Sequence, residues 1–104
     1  MNAAAPTAPA APLTITRTEW NYNGTLFVDV TAPARPMRDV DVPAMRRTAR
    51  AAIAHPDKTR SSPLVGYRHD AATNTDTFTF AVSRHPDLRA HRNLAQLMRD
   101  AGRA

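Results

Sequence analysis

Four histidines, a pair of serines and an unusual number of arginines are the side chains through which this chain could do chemistry. His55, His69, His85 and His91 are its imidazoles. A helical metal clamp needs two histidines three or four residues apart, and no pair has that spacing. Cysteine is absent, which excludes disulfides, thiolate zinc and iron–sulfur ligation. His69-Asp70 and Ser61-Ser62 contain the residue types of a nucleophile–base–acid triad, yet the strained turn that presents a catalytic serine does not accompany them. The three glycines, Gly24, Gly66 and Gly102, stand alone, so there is no phosphate-cradling loop. The reading is a non-enzymatic protein with no catalytic residue, metal, cofactor or small-molecule substrate.

The remaining chemistry is cationic. The 104 residues carry a net charge of +5, and Lys58 is the one lysine among 14 basic residues. The charge is segregated. Residues 1–34 and 61–83 are each net −1, whereas 35–60 is net +4 and 84–104 is net +3. Arg46, Arg47, Arg50, Lys58 and Arg60 form one cluster; Arg84, Arg89, Arg92, Arg99 and Arg103 form a second. Guanidinium forks suit phosphates, and a merged cluster would attract a phosphate backbone with strongly salt-dependent affinity. An acidic protein or ribonucleoprotein surface would respond to the same field. The alanine-rich, lysine-poor composition is also what a GC-rich genome produces, and solvated helix faces are the plainer account of the same arginines.

The elements that must position these arginines follow from periodicity. Residues 1–12, MNAAAPTAPAAP, offer no large side chain to bury and are expected to form a disordered tail, leaving 13–104 as a single domain. LTITRTEWNYNGTLFVDV reads as a β-hairpin about Asn23-Gly24. A three-residue loop with Gly24 left-handed sets Arg17 opposite Asp29 and points Trp20 toward the face of Leu26, Val28 and Val30; a two-residue turn would set Trp20 opposite Phe27. Asp41 and Pro43 open a helix in which Met45, Ala49, Ala52 and Ile53 share a face, ending near His55-Pro56. LVGYRHD and TDTFTFAVS form a second hairpin about AATN. A second helix is expected from Pro86, with Leu88, His91, Leu94, Ala95 and Met98 along one stripe and Gly102 as its terminator. On that stripe His91 is expected to be partly buried and satisfied by a neighbouring polar group.

The predicted order is ββαββα: an α+β domain of two ββα units, with a four-stranded antiparallel sheet and both amphipathic helices on one face. The covered face takes Leu26, Val28, Val30, Val65, Tyr67, Phe78, Phe80 and Val82. The open face takes Thr25, Phe27, Asp29, Thr31, Thr77, Thr79 and Ala81. It is neutral and threonine-rich, and it lacks the several exposed aromatics of a base-stacking sheet. Phe27, Thr25, Thr77 and Thr79 are its candidate protein-docking residues.

His-Pro-Asp occurs twice, at 55–57 and 85–87. MRRTARAAIAHPDK, residues 45–58, resembles the upstream half of a J domain, in which a basic helix runs into this tripeptide. That resemblance implies a helical hairpin and a chaperone partner. It stops at Lys58, where TRSSPLVGYRHD brings a proline and strand-forming residues in place of a second helix. The two prolines are better read as punctuation, one ending a helix and one beginning the next.

Three functions remain. The first is a small basic module that associates with nucleic acid, or with a complex containing it, through Arg46, Arg47, Arg50, Lys58, Arg60, Arg84, Arg89 and Arg92. The second is a protein-binding inhibitor or adaptor of phage or mobile-element type, similar in kind to anti-CRISPR proteins. The third is a dimeric structural subunit joined through a sheet edge or the threonine face. No secretion signal or membrane span is apparent, and a cytoplasmic location is expected.

Overall fold

Phe78, Phe80 and Val82 alternate with polar neighbours on one strand, and Val30, Val28 and Leu26 do so on another; these two strands pair at the centre of the sheet. The computed structural model describes residues 13–21, 24–52, 62–83 and 88–103. Within them run β1 (Thr14–Trp20), β2 (Leu26–Pro33), a 3-10 turn (Met37–Asp39), α1 (Val42–Arg50), β3 (Leu64–Asp70), β4 (Thr75–Val82), a second 3-10 turn (Leu88–Ala90) and α2 (Leu94–Asp100). All strand pairs are antiparallel and the order is β1-β2-β4-β3, so each hairpin contributes one central and one edge strand. This is the expected α+β sheet with two helices against it. A four-stranded sheet also removes the J-domain reading, which requires helices alone.

The core is the β2/β4 inner face with Leu64, capped by Met45 and Ala49 of α1, and with Leu94 and Leu97 of α2 packed against it. Phe78 and Phe80 are its largest members and are essentially inaccessible; each contributes on the order of 2 kcal/mol by burial. Asp41 caps α1, its Oδ1 accepting from Ala44 N at 3.0 Å. The first loop has the predicted form: Gly24 is left-handed at φ +78°, and Asn21 N donates to Thr25 O at 2.9 Å. Arg17 is accordingly opposite Asp29.

Four expectations are corrected. Trp20 is opposite Leu26 on the helix side of the sheet, yet it is 62% exposed. β1 is an edge strand, and the helices pack chiefly on β2, β4 and β3. Val65 does not take the core position on β3: a bulge between Leu64 and Gly66 gives that place, opposite Phe80, to Leu64. Asp29 is not solvated on the open face; it is fully buried. Finally, the stripe from Leu88 to Met98 is not one helix. Leu88–Ala90 is a 3-10 turn, and α2 starts after Asn93, whose Oδ1 accepts from Gln96 N at 3.1 Å. An asparagine N-cap satisfies an otherwise orphaned donor, and a continuous helix through it would forfeit that bond. Gly102 does terminate α2. At φ +74° it lets Gly102 N reach Arg99 O (2.9 Å) and Arg103 N reach Met98 O (2.7 Å). The tail and both His-Pro-Asp tripeptides lie outside the described residues.

Candidate functional site

The arginines divide into those the fold uses and those it leaves facing water. Arg46 is used. Its Nε donates to Ser62 O at 3.0 Å, and its guanidinium carbon lies 6.0 Å from the Phe80 ring centroid. Arg50, one turn further along the same side of α1, is half-buried and also engaged. Arg47 is exposed and, among the described residues, has no partner. On the second basic segment Arg89 is exposed but engaged, whereas the exposed Arg92 side chain has no partner among the described residues. Lys58, Arg60 and Arg84 lie outside the described residues.

Two backbone struts bring these segments to one place. Arg46 is tied to Ser62, and Arg92 N donates to Leu64 O at 2.8 Å. Leu64 N donates in turn to His91 Nδ1 at 3.3 Å, so His91 is satisfied by backbone, although the residue is exposed. Ser62 and Leu64 are two residues apart, roughly 7 Å along an extended chain. The Arg46–Arg50 stretch and the Arg89–Arg92 stretch therefore flank a single short piece of backbone. Ser62 itself is buried, and its hydroxyl has no hydrogen-bond partner among the described residues.

The open face is organised around Asp29. Arg17 Nε (2.9 Å) and Arg68 Nη2 (3.2 Å) both reach its Oδ2, and the Thr79 hydroxyl donates to its Oδ1. Burial alone would push the Asp29 carboxyl up. The Thr79 and Arg17 hydrogen bonds, the Arg17 charge and the Arg68 hydrogen bond outweigh burial and hold it below its ordinary value. Arg17 also meets Glu19 at 2.9 Å. Thr16, Thr31 and Thr77 form a hydroxyl chain, with Thr16–Thr31 at 2.9 Å and Thr31–Thr77 at 2.7 Å. Of the four candidate docking residues, Thr77 and Thr79 thus have their hydroxyls committed within the sheet, and Thr25 and Phe27 are half-buried.

A second buried carboxylate, Asp76, lies on the helix side. It accepts from Tyr67 OH at 2.8 Å, pairs with His69 Nδ1 at 2.8 Å and meets Arg103 Nη2 at 3.5 Å. Burial and the Asp76 hydrogen bond push the Tyr67 hydroxyl up to about 12. His69 thus pairs with Asp76 instead of serving a triad with Asp70, and Ser62 is engaged with α1 instead. Arg103 also donates to Arg35 O at 2.9 Å, pinning the C-terminal segment across the sheet. Alternation along 76, 78, 80 and 82 was the available signal for an inward Asp76; its charge argued the other way. Beside this cluster a cavity of about 90 Å³ is lined mainly by Leu13, Ala32, Val40, Met45 and Phe78. Among the described residues no group of three or more His, Asp or Glu side chains could hold a metal ion, and no helix is long and apolar enough to cross a membrane.

No protein-family model, no curated protein and no solved structure matches the chain.

Proposed function

We propose that this protein is a small non-enzymatic module that binds the phosphate backbone of nucleic acid through the arginines flanking Ser62–Leu64. The observation that supports this most is the convergence of two basic segments on that stretch, with Arg47 and Arg92 exposed and unpartnered among the described residues. Burial of Asp29 and Asp76 beneath other side chains adds to it, because those two carboxylates are withdrawn from the surface. The arginines of this region are not interleaved with exposed aromatics, which favours backbone contact over base reading. Arg46 has a different part in this reading: it holds the Ser62 backbone in place and leaves the contact with phosphate to its neighbours.

Binding of mixed-sequence DNA and RNA duplexes across a salt series tests the reading. Affinity should fall linearly on logarithmic axes, and Arg47→Ala with Arg92→Ala should reduce the slope by about two. Absence of binding at about 50 mM salt refutes it. Capture of an acidic protein that survives nuclease treatment would replace it with the inhibitor or adaptor reading.

A further inference from the structure

We propose that the outer edge of β1 pairs antiparallel with β1 of a second copy of this chain, in register about Thr18. This goes beyond the nucleic-acid reading and does not depend on it.

The two edges of the sheet are unlike. On β3 the outward N–H and C=O of Leu64 are both taken, by His91 Nδ1 and Arg92 N. On β1, an edge strand paired only with β2 in the described sheet, all seven residues are exposed. Which groups point outward follows from the loop. Asn21 N donates to Thr25 O, so that pair is hydrogen-bonded. Antiparallel alternation then makes Trp20–Leu26 and Thr18–Val28 the non-bonded pairs, and their β1 N–H and C=O groups face away from β2. The same alternation carried across the sheet makes Leu64 outward-facing, as its bonds to 91 and 92 require.

A two-fold axis at Thr18 uses these groups as they stand. Thr18 of each copy exchanges N–H···O bonds with Thr18 of the other. Arg17 then falls opposite the partner's Glu19, and Glu19 opposite the partner's Arg17, so each like-charge clash that another register would create is replaced by an opposite-charge pair. Trp20 falls at the bulged end of the partner's strand, beside the partner's Ile15, on the helix side of the sheet at its exposed edge. Trp20 and Ile15 are two of the three large exposed apolar side chains among the described residues, at 62% and 39%. The bulge between Ile15 and Arg17 keeps the contact short, which makes the dimer a weak one.

Trp20 is the single tryptophan, so its emission reports the contact directly. Sedimentation velocity and tryptophan fluorescence on the full chain, from about 5 µM to about 500 µM, should show a dimer growing in with a blue shift of Trp20. Thr18→Pro removes an outward N–H without touching the β1–β2 ladder and should leave a folded monomer with red-shifted emission throughout. Glu19→Arg, which sets arginines opposite one another at both crossings, should weaken the dimer at least tenfold and serves if the proline variant fails to fold. A strictly monomeric wild type overturns the proposal. So does a dimer whose formation leaves Trp20 emission unchanged, or one insensitive to both substitutions.

Discussion

Asp29→Asn keeps the size and shape of a fully buried side chain and removes one charge, which makes it the sharpest probe of the open face. In the native chain two guanidiniums and one hydroxyl converge on this carboxylate. Hydrogen bonds to a charged group contribute about 1.5–3 kcal/mol each, and breaking a buried ion pair costs about 3–5 kcal/mol. The arginines are only partly covered, at 44% and 64% side-chain exposure. They can turn to water, and the amide oxygen retains the Thr79 bond. The expected loss is therefore about 2 kcal/mol at pH 7, below the buried-pair range. Urea unfolding measures it. Two further arms isolate the cause. With Asn at 29, Arg17 and Arg68 face each other across a neutral side chain and Arg17 keeps only its exposed pair with Glu19, so adding Arg17→Ala should cost little more, whereas Arg17→Ala alone should cost about 1 kcal/mol. The Asp29 carboxyl is held below its ordinary 3.8. Its stabilising contribution is thus present above the unfolded value and lost as pH falls through the lower folded one, so wild type and variant should converge in acid. A variant within 0.5 kcal/mol of wild type at neutral pH, or a gap that persists in strong acid, would refute the argument (0.5 kcal/mol being about the resolution of such comparisons).

The two kinds of arginine on α1 should separate in a single pair of substitutions. Arg46→Ala should lower stability by about 1 kcal/mol, through loss of the Ser62 bond and the Phe80 contact. Arg47→Ala should leave the urea midpoint in place and weaken nucleic-acid binding instead. Asn93→Ala should cost about 1 kcal/mol by uncapping α2, and circular dichroism should report the lost helix. Gly102→Ala should cost a similar amount, about 1 kcal/mol, because its φ of +74° is strained for any residue with a Cβ.

The central strands were legible because their signal is local. Alternation at Leu26, Val28 and Val30 and at Phe78, Phe80 and Val82 marks one face whatever lies beside it, and Asn23-Gly24 fixes the parity that sets Arg17 against Asp29. Trp20 was not legible, because its exposure depends on β1 lying at an edge, and strand order is a property of the whole sheet. Asp29 shows the same gap: the pairing could be read, whereas its burial needed Arg68, which arrives from the far edge strand. The start of α2 was legible and missed. Asn93 followed by Gln96 is a capping signature, but Pro86 drew the helix eight residues too early. Among the candidate site residues, separating Arg46 from Arg47 required knowing that Ser62 and Phe80 lie on one side of α1. Residue type alone treats the two as equivalent.

The asymmetry of the two sheet edges bears on assembly size. A sheet with two accepting edges can add copies without limit, and that is the route to fibres. Here Leu64 has its outward donor and acceptor occupied by the chain's own 91–92 backbone and ring, and the bulge beside it breaks the run of free groups further along β3. Joining at β1 consumes the accepting side of both copies and leaves the β3 sides outermost. On that proposed pairing, growth by strand addition would halt at eight strands, closed at each end by the short segment that also ties Arg46 and Arg92 to the sheet.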